Sequence, residues 1–478
     1  MATLFVFKYL KMKDTTIAAI STAYGEAGIG IVRMSGPESF NILKKVFVNV
    51  KGNEIDFEPR HMYYGLVKNE DGSTVDEALA VFMKAPNTYT GEDVCEIQCH
   101  GGNISVKNIL ALLLRNGAVL ADKGEFTKRA FLSGRIDLSQ AEAVIDLIKA
   151  KSGRSFDSAV GQLGGSVSKK VKEIRAKILD ILVSLTVNMD YPDEDIEVLT
   201  YKKFTEDLKV VLDELEKLEA TSSEGRIIRE GLRVAIVGKP NVGKSSLMNI
   251  FLKEDRSIVT DVPGTTRDTI EESASIRGIP ISFIDTAGIH ESNDIVESIG
   301  IERSKDAFNH ADLLLLIIDA SSELSKEDEE LLLMSVGRPC IIVLNKSDLG
   351  TRLSEENIKE FFKKEDSDKA SSKRFIINTS FKNETGVDGI EDAIERIVDS
   401  GKLRREDDVL LTNIRHQDLV RKALSEIREA ISMCEREEAM DFIEVNVKAG
   451  FDYLGEIIGE TASDAVLDEV FSRFCLGK

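Results

Sequence analysis

The segment that most restricts what this chain can become is Gly238-Lys-Pro-Asn-Val-Gly243-Lys244-Ser245, which follows an apolar run and leads into a helical pattern. Glycines in such a loop let the backbone curl until its amides face phosphate oxygens. Lys244 then reaches the outer phosphates, and the Ser245 hydroxyl sits on Mg2+. Apolar runs from Leu232 to Val237, Ile281 to Ile284, Leu313 to Ile318, Ile341 to Leu344 and Phe375 to Ile377 recur between helical stretches. This alternation predicts a doubly wound α/β domain with a mostly parallel sheet over residues 231–397.

Three further motifs follow in the order a guanine-nucleotide enzyme needs. Asp285-Thr286-Ala287-Gly288 ends a strand, which places Asp285 near the Mg2+ shell and the Gly288 amide near the γ-phosphate. Asn345-Lys346-Ser347-Asp348 ends another, and Ser380-Phe381-Lys382 comes later. Together they resemble GTPases. That resemblance implies that Asp348 accepts from guanine N1 and the 2-amino group, selecting guanine over adenine. Phe381 departs from the usual Ser-Ala-Lys, but this element acts mainly through backbone amides. Asn241, Val242, Gly243, Lys244, Ser245 and Ser246 complete the expected phosphate contacts, with Lys244 and Asn241 also expected to act in turnover.

Ile289 stands where Ras-like enzymes carry a water-orienting glutamine. An isoleucine orients no water, so another group must position it and another charge must stabilise the transition state. The stretch Thr260-Asp261-Val262-Pro263-Gly264-Thr265-Thr266 resembles the potassium-activated GTPases of the translation-factor-like branch. The resemblance implies Thr266 as a second Mg2+ ligand beside Ser245. It also implies a K+ cage from the Asn241 side chain, carbonyls around Thr260 and Val262, and nearby Thr265. A monovalent cation beside the phosphates can replace an arginine finger in a water-poor site.

Beyond this block the pattern changes. Within residues 1–126, short runs from Thr16 to Ile20, Gly30 to Met34, Ala78 to Met83 and Val94 to Gln98 alternate with Gly- and Asn-rich turns. They predict a small α+β domain. Strand alternation sets Glu96, Gln98 and His100 on one face, with Cys95, Ile97 and Cys99 on the other. Residues 127–230 and 398–478 read as helical. Phe204, Leu208, Val211, Leu212, Leu215 and Leu218 form one apolar stripe, and Val420, Leu424, Ile427, Ile431 and Cys434 form another. Helices on both flanks predict a helical domain built from two chain segments with the α/β domain inserted, which is easy when a domain's termini lie close together.

Bulk properties narrow the function. With 42% hydrophobic residues and 30% charged, the chain reads as soluble, and no stretch nears the ~18 apolar residues of a membrane helix. Five scattered cysteines do not make a disulfide framework and suit a reducing cytoplasm. Cys95, Cys99 and His100 lack the second cluster a metal site needs. The first residues read as an extension rather than a signal peptide, with Met12 an alternative start. A net charge of −21 argues against broad, unassisted nucleic-acid binding.

Longer segments carry a specific resemblance. Gly91-Glu-Asp-Val-Cys-Glu-Ile-Gln-Cys-His-Gly-Gly102, Gly124-Glu-Phe-Thr-Lys-Arg-Ala-Phe-Leu132, Asp137-Leu-Ser-Gln-Ala-Glu-Ala143, Tyr191-Pro-Asp-Glu-Asp-Ile-Glu197 and Phe474-Cys-Leu-Gly-Lys478 are similar to the MnmE (TrmE) family of tRNA-modification GTPases, from about residue 14 to the last. The resemblance implies a folate-binding N-terminal domain that dimerises, a two-segment helical domain and an inserted Ras-like G domain. It further implies a homodimer that joins the flavoprotein MnmG, carrier of FAD, in a heterotetramer or larger complex. The family adds an aminomethyl or carboxymethylaminomethyl group at C5 of the wobble uridine of tRNA. Its one-carbon unit comes from a 5,10-methylene or 5-formyl tetrahydrofolate, and glycine or ammonium supplies nitrogen. A partner can then supply the basic surface that this acidic chain lacks.

Carried over by motif, Arg33, Glu96, Arg135 and Lys478 stand at folate-binding positions, Arg135 keeping the cation that lysine supplies in other members. A carboxylate such as Glu96 suits the amidine-like edge of a pterin, and cations suit folate carboxylates. Glu297 matches the family glutamate that orients the hydrolytic water; the plain alternative is an exposed helix residue. Cys475 is open between a structural thiol and a role in the modification. A regulatory GTPase switch acting on ribosome assembly is the competing reading, and it leaves Arg33, Glu96 and the final Cys-Leu-Gly-Lys without a use.

Overall fold

The computed structural model describes residues 14–190, 201–254, 272–284, 311–364, 374–398 and 409–478. They fall into two compact units. The first comprises Met1–Ile145, Gln162–Leu208 and Ser425–Lys478, the second Asp146–Gly161 and Lys209–Leu424.

The first unit is built on a seven-stranded sheet of β1 (Ile17–Ile20), β2 (Ala27–Ser35), β3 (Phe47–Asn49), β4 (Met62–Lys68), β5 (Thr74–Met83), β6 (Val94–Gly101) and β7 (Val119–Leu120). Its order is β3-β4-β5-β6-β2-β1-β7, antiparallel except where β7 runs beside β1. Helices Ser39–Val46 and Asn103–Arg115 share one apolar core with the sheet. Alternation along β6 holds as expected: Cys95, Ile97 and Cys99 enter that core, while Glu96, Gln98 and His100 do not. The two thiols are packing groups, and burial pushes both upward from the ordinary cysteine pKa.

Two long helices of this unit, Ser166–Asp190 and Met440–Ile458, bury Val171, Ile174, Ile178 and Leu185 on one and Ile443, Val447, Leu454 and Ile457 on the other. Cutting one such side chain to alanine costs about 2–5 kcal/mol. Arg175 stitches the pair: it lies flat over Phe451 at 4.0 Å, donates to the Phe451 carbonyl at 3.2 Å and pairs with Glu460.

The second unit holds the expected α/β sheet: β8 (Leu232–Val237), β9 (Glu272–Ile276), β10 (Ile279–Ile284), β11 (Leu313–Asp319), β12 (Cys340–Asn345) and β13 (Arg374–Asn378). The order is β13-β12-β11-β8-β10-β9, and every pairing is parallel except β9 with β10. Strand β8 lies inside the sheet, with chain running out to both sides, as in doubly wound folds. Strand β9 lies outside the sequence expectation. Only Ala274 and Ile276 of its five residues are buried apolar groups.

The helices of the two flanks are divided between the two units. The boundaries between the units run through helices Leu138–Lys149, Gly153–Leu163, Tyr201–Glu219 and Ile414–Glu435. Within the second unit, polar contacts explain which ends stay with the α/β sheet. Arg229 pairs with Asp146 at 2.9 Å, Arg154 with Glu395 at 2.7 Å, and the Leu411 amide donates to Thr221 Oγ1 at 3.1 Å. The expected apolar stripes are real: Phe204, Leu208, Val211, Leu215 and Leu218 are buried, as are Val420, Leu424, Ile427, Ile431 and Cys434.

Candidate nucleotide and folate sites

At the carboxyl edge of the parallel strands, the end of β8 turns into the loop 238–243, and helix Lys244–Glu254 begins immediately after it. The amides of a helix's first turn have no intrahelical partners, so this end attracts an anion. Lys244 Nζ donates to the carbonyls of Gly238 at 2.5 Å and Lys239 at 2.9 Å. Its own loop therefore folds around it. Burial lowers the pKa of this amine, with Glu327 partly opposing; a phosphate restores the solvation that the loop removes. Asn241 is held at φ 62, Val242 is buried and Ser246 is exposed. Ser245 stands in the first helical turn, as a Mg2+ ligand must.

The ends of β12 and β13 complete this edge. Asn345 is buried, and its side chain ties two loops together. Nδ2 donates to the Val242 carbonyl at 2.7 Å, while Oδ1 accepts from the Phe381 amide at 3.1 Å. Lys346, at φ 66, pairs with Asp319 at 2.7 Å. Burial works against the Asp319 carboxylate, but bonds from Lys346 and Ser321 hold its pKa below the ordinary range. Asp348 is exposed, and its Oδ1 accepts from Ser380 Oγ at 2.7 Å, which orients the carboxylate before any base arrives. Lys382 is exposed. Phe381 is not a loop bystander: its ring is buried in the core beside Val242.

Thr260, Asp261, Val262, Pro263, Gly264, Thr265, Thr266, Asp285, Thr286, Ala287, Gly288 and Glu297 lie outside the described residues. So does the Tyr191-to-Glu197 motif.

In the first unit, the four residues expected to hold folate come together. β2 and β6 pair Arg33 directly with Glu96, and both Nε and Nη2 reach the same oxygen, Oε1, at 2.8 and 2.7 Å. The Arg33 guanidinium sits 5.7 Å from the Phe126 ring centre and 5.9 Å from that of Tyr89. Arg135 approaches the same Tyr89 ring at 5.0 Å and donates to the Tyr89 carbonyl at 3.0 Å. Lys478 closes the group. Burial lowers its pKa, neighbouring Arg33 lowers it further, and Glu96 and Cys475 oppose. Arg33, Arg135 and Lys478 thus gather near Glu96 and the Tyr89 ring. Tyr89 and Phe126 were not legible as site residues. The only signal for Tyr89 was its place just ahead of the Gly91 motif.

The last residues reach this place by docking on β1. Ser21 Oγ donates to the Gly477 carbonyl at 3.2 Å, and a Cβ on Gly477, at φ 88, would lie 2.2 Å from the Ile20 carbonyl oxygen. Cys475 is exposed beside them.

Residues 16–135 match the family model described as the GTP-binding protein TrmE N-terminus, and residues 138–475 match that of the MnmE helical domain. The tRNA modification GTPase MnmE of Alkaliphilus metalliredigens (strain QYMF) is 47% identical, covering 97% of this chain and 99% of its own. That of Clostridioides difficile (strain 630) is likewise 47% identical with the same coverage. The protein of the same description from Shouchella clausii (strain KSM-K16) is 45% identical over 98% of this chain and 100% of its own. Among solved structures, Aquifex aeolicus Era bound to GDP.AlF4- is 30% identical, covering 41% of this chain and 66% of that one, with a TM-score of 0.26. No described helix is long and apolar enough to cross a membrane.

Proposed function

The chain belongs to the MnmE family of tRNA-modification GTPases, and from that premise we propose that it hydrolyses GTP to drive modification of the wobble uridine of tRNA in the cytoplasm. In this reading a homodimer works with the FAD protein MnmG to add an aminomethyl-type group at uridine C5. Tetrahydrofolate supplies the one-carbon unit.

The loop amides and Lys244 hold the outer phosphates, and Asp348 reads guanine. Ser245 and Thr266 would hold Mg2+, which would offset negative charge on the phosphates. Asn241, with carbonyls near Thr260 and Val262 and with Thr265, would hold K+, which would supply the charge of an arginine finger. Glu297 orients water in place of the missing glutamine. At the other site, both Arg33 bonds fall on Glu96 Oε1, so Oε2 is left to face a donor edge such as that of a pterin. Arg135 and Lys478 then suit the folate carboxylates.

The observation that carries the folate part is the meeting of Arg33 and Arg135 on the Tyr89 ring, with Glu96 paired to Arg33 and Lys478 beside both. Calorimetry with 5-formyltetrahydrofolate is expected to give saturable binding that Glu96→Ala removes; unchanged binding in that variant would end the assignment. In cells lacking the protein, mass spectrometry is expected to find wobble uridines without the C5 group. A wild-type modification profile would defeat the reading.

A further inference from the structure

The Phe381 side chain has no part in the functions above, yet it is placed against the phosphate loop. A Cβ built on Gly243 would fall 2.9 Å from Phe381 Cδ2 and 3.3 Å from Cε2. The ring edge therefore lies directly under the P-loop glycine. Asn345 crowds the same point, its Nδ2 2.4 Å from that Cβ. The Phe381 backbone amide is bound to Asn345 Oδ1 at 3.1 Å, and Asn345 Nδ2 is bound to the Val242 carbonyl at 2.7 Å. Backbone and ring of one residue thus grip consecutive P-loop residues, the amide through Asn345 to Val242 and the ring against Gly243. Phe381 is 6% exposed, and its other neighbours are core groups.

Packed interiors move as units because a gap of even half an ångström forfeits contact energy. We propose that the Phe381 ring is a positioning residue that mechanically joins the guanine-side loop 380–382 to the phosphate loop, so that the two halves of the nucleotide site open and close together. The ring touches no nucleotide; it acts through Gly243. With alanine there, the space beneath Gly243 empties, and the Val242–Gly243 peptide is free to sink while Asp348 still holds the base. Phosphate grip is then lost without loss of guanine recognition. The proposal rests on the guanine-nucleotide reading of this site and adds what sets the lifetime of the bound state.

The test uses the full-length protein and a fluorescent GDP analogue in stopped flow, with steady-state GTP turnover alongside. Phe381→Ala is expected to release GDP about tenfold faster, since affinity changes within one site appear mainly in the off-rate. It should raise KM for GTP by a similar factor. Phe381→Leu keeps most of the buried volume and is expected to stay within about twofold of wild type. A Phe381→Ala protein that melts at lower temperature but releases GDP at the wild-type rate would mean that the ring only fills the core, and the proposal falls. It falls equally if Phe381→Leu releases as fast as alanine. If wild-type protein binds no GDP, the guanine reading itself is wrong, an outcome distinct from either.

Discussion

Single side chains in this molecule are set by what they face rather than by type. Asp76 shows this. Burial works against its ionised form, yet Ser105, His100 and backbone amides donate to it and bring its pKa below the ordinary value. His100 Nδ1 lies 2.7 Å from Asp76 Oδ1, and that hydrogen bond raises the His100 pKa above 6.5 although the ring is 71% exposed. The stabilisation from a histidine so raised is complete below its unfolded-state value and is lost as pH climbs through the folded-state one. NMR titration is expected to place the His100 midpoint above 6.5, and Asp76→Asn to return it toward that value. An unchanged midpoint in the variant would mean that the ion pair does not form in solution.

At the scale of elements, docking of Gly477 beside β1 builds the proposed folate site from two distant parts of the chain. Gly477 is the joint. Its φ of 88 and its closeness to the Ile20 carbonyl leave no room for a side chain. Gly477→Ala is expected to dislodge Lys478 and to weaken 5-formyltetrahydrofolate binding as much as Lys478→Ala does, at nearly unchanged melting temperature; calorimetry and thermal denaturation read both. Full binding by Gly477→Ala would show that the tail is dispensable.

This docking also marks where the sequence stopped being legible. The parallel strands β8, β11 and β12 were readable because each is a largely apolar run, interrupted in β8 only by exposed Arg233. Strand β9 was not, because an edge strand of Glu-Ser-Ala-Ser-Ile needs few apolar groups. Strand β4 was not, because Gly65 interrupts Met62–Lys68. The nucleotide loops were readable from local spacing, since each motif acts at one strand end. No spacing relates Arg33 to Lys478; that pairing came only through family resemblance. The ring of Phe381 pointed nowhere in the sequence, because its partner, Gly243, is brought to it by the sheet.

For the whole molecule, the balance of charge matters most. A net charge of −21 leaves this chain little general attraction for RNA, so the proposed scheme leaves most of the basic tRNA surface to the partner. In the proposed scheme, Ile289 in the place of a glutamine leaves hydrolysis to a borrowed cation. GTP turnover is expected to be faster in K+ than in Na+ at equal ionic strength, and Asn241→Ala to abolish the difference; equal rates in the two salts would remove K+ from the scheme.

The joining of Ser21 to Gly477 has a consequence in time as well as in space. A ribosome makes β1 hundreds of residues before Gly477, so the pocket around Arg33 stays one wall short until that late segment has emerged. The strands of the α/β sheet are made in the interval, so this wall is added after them.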